Sequence, residues 1–215
     1  MPSLSRKYPL PEIRPDPSSK ESLSVLAIVQ NPKTMRYIVT QGECGRFTHA
    51  HDVKEQQVIC TYGAAPCVIL GLNDGKSCML MHVHYMNAEK DISSIQLQVK
   101  TYYMGADQQK LRGYLTTEAE LKDEKNKKMQ DFTLTKLKDV LNKQKIKFEE
   151  SLKHSAAIIG CENFKYCTDE VIKLVDGQFN KNAWDRAVLA EKRFKDKDYS
   201  IYEITAPWDD ERDLD

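Results

Sequence analysis

The sequence lacks any apolar run of the length that crosses a membrane, which takes about 20 consecutive apolar residues in a helix. It also lacks the apolar segment of a secretory signal, because Arg6 and Lys7 near the N-terminus are followed by several prolines instead. These absences exclude the patterns of a membrane protein and of a standard secretory precursor. We therefore expect a cytoplasmic protein with no membrane partner.

Charge of one sign is not in excess either, because 32 Lys and Arg residues balance 32 Asp and Glu residues. A nucleic-acid-binding domain usually carries a basic patch or a basic net charge. The local charge runs mix both signs, as in residues 122–128, and such runs are typical of a solvated helix face or loop. The sequence therefore predicts no nucleic-acid partner.

None of the six cysteines forms a Cys-x-x-Cys pair, and the chain is neither short nor rich in loops. Without a secretory signal, reduced thiols are expected rather than a disulfide framework. In a reducing compartment, the cysteine with the most unusual local context is a candidate nucleophile. That cysteine is Cys67, which follows a turn of small residues and opens an apolar run.

The prolines and the charges delimit one domain. Five of the eight prolines lie in residues 1–20, which we predict to be a flexible arm, and residues 206–215 form an acidic tail. Residues 21–205 are predicted to be a single α+β domain with a helical C-terminal extension from about residue 150. Strand patterns dominate the first half and helical patterns the second, which favours an α+β sandwich over a doubly wound parallel sheet.

The individual elements follow from the spacing of apolar residues. Apolar runs and alternation predict strands at residues 22–30, 35–40, 57–61, 95–104, 145–148, 155–160 and 199–205, besides a central hairpin. Helical spacing predicts helices at residues 133–141 with Thr133 as the cap, at residues 168–179 and around residues 184–189. The polar residues 41–55 are predicted to be a loop that leads toward a site.

The central hairpin brings together a thiol and an imidazole. Two apolar runs flank the turn Asn73-Asp74-Gly75, and they carry Cys67 at one end and His82 at the other. If the runs pair, these two residues lie on neighbouring strands. A cysteine attacks a carbonyl as the thiolate, and a histidine within hydrogen-bond reach can take its proton and later protonate the leaving amine.

Two further groups would complete such a site. Thr61 lies where the chain enters the turn before Cys67, and it could accept a hydrogen bond from the ring nitrogen of His82 that does not face sulfur. The small residues of the turn could present backbone N–H groups to a developing oxyanion. These residues are Gly63, Ala64 and Ala65.

The same residues resemble a known family. The pattern Thr-x-Gly-x-x-x-Cys-Val from Thr61, the apolar strand that ends at Asp74 and the strand that closes on His82 resemble the active-site segment of the CheD family of chemoreceptor glutamine deamidases. That family shares its fold and its Cys-His chemistry with the deamidase domain of the cytotoxic necrotizing factors and with a Burkholderia lethal factor. A weaker similarity extends the resemblance to about residues 57–148.

The resemblance implies a fold and a reaction. The fold would be a layered sandwich of mixed and antiparallel sheet flanked by helices. Cys67 would attack a glutamine carboxamide of a protein substrate, His82 would act as general base and acid, and Thr61 would orient His82. Ammonia would leave, water would release glutamate from the thioester, and no cofactor would be needed; an amine could also capture the thioester, which is transglutamination.

The resemblance also bears on the setting in which the protein acts. The departures from the family pattern fit a bacterial effector that acts on a host protein better than a chemotaxis protein. Such an effector would reach a host cytosol without a signal peptide.

Two other functions stay open at the level of sequence. Ala65 and Pro66 stand where CheD proteins usually have Gly and Ser, so the chain could be a binding module on the same fold whose catalytic geometry has decayed. The second alternative is a metal-binding protein, since four of the five histidines lie in His-x-His pairs. The possible ligands of such a site are His49, His51, His82 and His84, completed by Asp52 or Cys44.

Overall fold

The computed structural model describes residues 35–39, 42–47, 57–84, 89–118, 121–168, 172 and 199–203. The predicted arm, the predicted strand at residues 22–30, most of the predicted helices after Thr168 and the acidic tail lie outside these ranges. So do His49, His51 and Asp52. The fold and the site described below belong to these ranges.

Strands account for most of the elements in the described ranges. They are β1 (Met35–Ile38), β2 (Glu43–Phe47), β3 (Gln57–Thr61), β4 (Val68–Asn73), β5 (Cys78–Val83), β6 (Arg112–Thr116), β7 (Phe148–Ser151), β8 (Ala156–Gly160), β9 (Phe164–Cys167) and β10 (Tyr199–Glu203). Two helices accompany them, α1 (Glu89–Gly105) and α2 (Glu124–Lys143). The chain is therefore an α+β protein, as the sequence predicts.

The strands form two sheets. The order in the four-stranded sheet is β1-β3-β8-β9, and the order in the six-stranded sheet is β10-β2-β5-β4-β6-β7, counted over the described strands. The pairs β1–β3 and β6–β7 are parallel, and the other pairs are antiparallel. Both sheets are thus built mainly from antiparallel pairs.

The predicted hairpin is present as β4 and β5. The two strands pair antiparallel with Ile69 opposite His82. Their turn is closed by Asp74, whose Oδ1 accepts hydrogen bonds from the backbone N–H groups of Lys76 at 2.9 Å and Ser77 at 2.7 Å. Gly75 takes the left-handed conformation that this turn needs, with φ of 84°.

The six-stranded sheet is the middle layer. One of its faces packs with α1 and α2 in a core that includes Leu70, Met81 and Leu137. The other face packs against the four-stranded sheet in a second core that includes Ile59, Ile69 and Ile159. Every residue of β4 and β5 is buried, because these two strands are covered on both faces. The molecule is a layered sandwich with both described helices on one side.

The two sheets come close together at Gly71. A Cβ atom at this position would lie 2.6 Å from Cε2 of Phe164 and 3.1 Å from Cδ1 of Ile159. Real Cβ atoms do not come so close to an aromatic ring, so β4 needs glycine here. The ring of Phe164 also stacks on Tyr114, with ring centroids 4.2 Å apart.

The predicted strand at residues 95–104 is wrong, because this segment is the body of α1. The alternation that suggested a strand places Ile95, Leu97 and Val99 on one face, but Leu97 is 61% exposed while Ile95 and Val99 are buried. Tyr102 is buried as well, so the buried positions follow the spacing of a helix. The apolar residues fit both the two-residue period of a strand and the 3.6-residue period of a helix. Burial against the sheet selects the helix.

Other predictions about elements also need correction. The predicted loop at residues 41–55 contains β2, which pairs with β5. Thr133 is not a helix cap but a buried residue inside α2, whose Oγ1 donates to the Met129 carbonyl at 2.9 Å. The cap is Asp123, which accepts from the N–H groups of Lys125 and Asn126.

The predicted helical extension from about residue 150 begins instead with strands. β7 occupies residues 148–151, and β8 lies in the interior of the four-stranded sheet between β3 and β9. The predicted strand at residues 155–160 is confirmed by β8, and the one at 199–205 by β10, whereas β6 and β9 were not predicted.

Over the described residues, no helix combines the length and the apolar character of a membrane span.

The helical assignment of α1 is tested by two matched truncations. Ile95→Ala is expected to lower the free energy of unfolding by about 2–5 kcal/mol, because it opens a cavity under a buried side chain. Leu97→Ala is expected to change it by less than about 0.5 kcal/mol, because the side chain is exposed. Urea denaturation measures both. Equal losses for the two variants would contradict the helix, since a strand would place both residues on one buried face.

Candidate active site

Thr61 and His82 meet between the two sheets. Thr61 is the last residue of β3 in the four-stranded sheet, and His82 lies near the end of β5 in the six-stranded sheet. The Thr61 Oγ1 atom lies 2.8 Å from His82 Nδ1, and it also donates to the Val39 carbonyl at 2.7 Å. Thr61 is 0% exposed and His82 is 3% exposed, so no bulk water competes for these bonds.

The two bonds of Thr61 fix the tautomer of the imidazole. A threonine hydroxyl has one hydrogen, and here that hydrogen is donated to the Val39 carbonyl. The Thr61 oxygen therefore accepts the second bond, and His82 Nδ1 carries the proton. In the neutral ring, Nε2 is then the bare nitrogen, and it is buried without a hydrogen-bond partner. Nε2 is therefore the position at which this imidazole would accept a proton, although burial makes it a weaker base.

Cys67 lies on the same face of the sheet as this imidazole. Ile69 is directly opposite His82, and Cys67 precedes Ile69 by two residues, so both side chains point to the face that His82 shares. Cys67 packs with Ala64 and Ile69 in the core between the sheets and is 2% exposed. The structure thus brings Cys67, His82 and Thr61 to one region of the interface between the sheets, and no hydrogen bond joins the Cys67 sulfur to His82 Nε2 in this state.

Burial sets the protonation states of the pair. Desolvation raises the pKa of the Cys67 thiol to about 12, although a hydrogen bond from its own backbone N–H acts in the opposite direction. Desolvation, together with the nearby His84, lowers the pKa of His82 to about 4. At neutral pH, Cys67 is therefore a thiol and His82 a neutral imidazole. No thiolate–imidazolium ion pair is therefore present at neutral pH.

The oxyanion role of Gly63, Ala64 and Ala65 stays a prediction, and two of the three N–H groups already have backbone partners. The Ala64 N–H donates to the Ser155 carbonyl at 2.9 Å, and the Ala65 N–H donates to the Gly63 carbonyl at 2.9 Å. Pro66 has no N–H, so the run Ala64-Ala65-Pro66 has no backbone donor left for an oxyanion. The Cys67 N–H is directed to its own sulfur.

Sequence reasoning missed the residue that holds the Cys67 turn. Thr117 follows β6, and its Oγ1 lies 2.7 Å from the Cys67 carbonyl and 3.2 Å from the Ala64 carbonyl. Gln130 of α2 donates to this oxygen at 2.5 Å. Thr117 is 50 residues from Cys67 and follows a strand that was not predicted, so the sequence carries no local signal for it.

The alternative of a metal site finds little support near His82. The predicted ligand Cys44 points to the opposite face of the sheet from His82, because it pairs with Met81. Within the described part of the chain, no three His, Cys, Asp or Glu side chains come together in a way that could hold a metal ion. His49, His51 and Asp52 lie outside that part.

No protein-family model matches this sequence, and no curated protein matches it. The resemblance to the CheD family therefore stays a prediction, and the chemistry of the site has to be judged from its own geometry.

The pKa of His82 makes stability depend on pH. A histidine with a folded pKa of about 4 and an ordinary value of 6.5 contributes stability that is complete above pH 6.5 and is lost as the pH falls toward 4. We expect the wild type to lose about 3 kcal/mol of unfolding free energy relative to His82→Asn between pH 7 and pH 4. Urea denaturation across this range measures the difference. Parallel curves for the two proteins would show that His82 is not desolvated as described.

Proposed function

We propose that the protein is a cysteine-dependent amidohydrolase that deamidates glutamine side chains of a protein substrate. The observation that carries the proposal is the state of His82: Thr61 holds Nδ1 as N–H, and Nε2 is left bare and buried on the face where Cys67 lies. The resemblance to the CheD family supports the same roles for these three residues. In this proposal the protein needs no cofactor, and its setting is that of an effector that acts on a host protein.

The reaction follows from these positions. The Cys67 sulfur attacks the carboxamide carbon while its proton passes to His82 Nε2, and the carbonyl electron pair moves to oxygen beside the Cys67 N–H. The imidazolium that forms keeps its Nδ1–H on Thr61 and returns the other proton to the nitrogen of the leaving group. Ammonia departs and a thioester remains.

Water completes the cycle. His82 Nε2 takes a proton from water as the oxygen attacks the thioester carbon, and the Cys67 sulfur leaves with that proton. Glutamine and water have become glutamate and ammonia, and the enzyme is unchanged. If a primary amine attacks instead of water, the product is a substituted amide, which is transglutamination.

Deamidation can be measured by mass spectrometry of a glutamine-containing peptide library. We expect wild type to produce a mass gain of about one dalton at glutamine, and Cys67→Ala to abolish it because the nucleophile is missing. Cys60→Ala is the matched control, since Cys60 is buried in β3 but alternates with Thr61 and so faces away from the site. The absence of any Cys67-dependent gain would contradict the proposal.

The orienting role of Thr61 can be tested in the same assay. Thr61→Val should lower the rate by about 10²-fold, because His82 can then place its proton on Nε2, which blocks its action as a base. Thr61→Ser keeps the hydroxyl and should retain most of the activity. A Thr61→Val protein as active as wild type would exclude the orienting role.

One observation favours the alternative of a binding module with decayed catalytic geometry. The pKa of Cys67 is raised to about 12, and the N–H groups of Ala64 and Ala65 are engaged within the fold. A decayed site predicts that iodoacetamide alkylates Cys67 no faster than a simple thiol, and at a rate that His82→Asn does not change. The proposed enzyme predicts alkylation that slows when His82 is replaced.

A further inference from the structure

A buried polar connection joins α2 to the turn that carries Cys67. Gln130 Nε2 donates to Thr117 Oγ1 at 2.5 Å and to the Glu118 carbonyl at 2.8 Å. Thr117 Oγ1 in turn lies 2.7 Å from the Cys67 carbonyl and 3.2 Å from the Ala64 carbonyl. The Thr117 and Gln130 side chains are buried, so these bonds form where water does not replace them.

The Thr117 hydroxyl lies within hydrogen-bond distance of both ends of the short turn between Ala64 and Cys67. The Ala64 carbonyl also accepts from the Glu118 N–H at 3.3 Å, but the Cys67 carbonyl is held by the Thr117 hydroxyl. Because Gln130 uses Thr117 Oγ1 as an acceptor, the hydroxyl hydrogen is directed to the turn. The orientation of the peptide that follows Cys67 therefore depends on a helix that lies on the other side of the six-stranded sheet from the imidazole.

We propose that Thr117 and Gln130 are positioning residues, which fix the Cys67 sulfur relative to His82 Nε2. The inference rests on the proposed function, because it concerns the geometry of that thiol–imidazole pair. Proton transfer from a thiol to a neutral imidazole needs hydrogen-bond contact, and a displacement of about 1 Å can slow such a step by about 10²-fold. Thr117 acts through the backbone of Cys67 and does not touch the reacting atoms.

The test measures alkylation of Cys67 by iodoacetamide, followed by mass spectrometry of the peptide that contains it. Thr117→Val keeps the shape of the side chain but removes the hydroxyl, and it should slow alkylation by about tenfold. Thr117→Ser restores the hydroxyl and should react within about twofold of wild type. Gln130→Leu removes the donor that orients the hydroxyl and should slow alkylation by a smaller factor.

Two controls separate positioning from loss of stability. Thr133→Val removes another buried hydroxyl, one whose bond lies within α2, and it should leave alkylation unchanged. Thermal unfolding of each variant identifies any protein that does not fold at the assay temperature. Should Thr117→Val fail to fold, the comparison of Gln130→Leu with Thr133→Val decides the inference.

A double-mutant cycle with His82→Asn compares the effect of Thr117→Val on the alkylation rate in two backgrounds. A purely structural role of Thr117 would give the same effect in both. If Thr117 positions Cys67 for His82, Thr117→Val slows alkylation in wild type and has no further effect in His82→Asn. An equal effect in both backgrounds, or none in wild type, would overturn the positioning role while leaving the proposed function intact. If His82→Asn itself changes nothing, the proposed function fails, and the positioning role fails with it.

Discussion

The hydrogen bond between Thr61 and His82 is the interaction on which the rest of the site depends. It joins a residue of one sheet to a residue of the other, and the Val39 carbonyl determines which partner donates. A single hydroxyl hydrogen therefore decides which nitrogen of the imidazole is basic. Without the Val39 carbonyl, Thr61 could donate to Nδ1, and Nε2 would hold the proton that it is required to accept.

The layered fold is what brings these groups together. Thr61 belongs to β3, which pairs with β1 and β8, whereas His82 belongs to β5, which pairs with β2 and β4. Only the packing of one sheet on the other places them in contact, so the site forms where the two halves of the sandwich meet. The close approach at Gly71 and Phe164 belongs to the same interface. Stability of the core and geometry of the site are therefore coupled.

Burial has two opposite effects on the proposed reaction. It removes water from the bonds of Thr61 and His82, which preserves the tautomer, but it also keeps Cys67 protonated and His82 neutral. In this state Cys67 is a thiol and His82 Nε2 is bare, with no hydrogen bond between them. The proposed reaction therefore needs the thiol proton to pass to His82 as the sulfur attacks.

Local patterns in the sequence predicted part of this arrangement. The turn Asn73-Asp74-Gly75 and its apolar flanks gave β4 and β5, because turn chemistry and burial act over a few residues. The segment of α1 was misassigned because its apolar residues satisfy two periods, and contact with the sheet decides between them.

The hydrogen bonds of the turn before Cys67, and the contact of Thr117 with that turn, could not be predicted from local patterns. The backbone bonds at Ala64 and Ala65 and the contact of Thr117 with Cys67 depend on chain segments far away in the sequence.

The most direct test of this account is the nitrogen NMR spectrum of the His82 ring at neutral pH, assigned by comparison with His82→Asn. Chemical shifts distinguish a nitrogen that carries a proton from one that does not, so they report the tautomer directly. The account predicts a proton on Nδ1 and a bare Nε2. A ring with its proton on Nε2, or one protonated on both nitrogens, would contradict it.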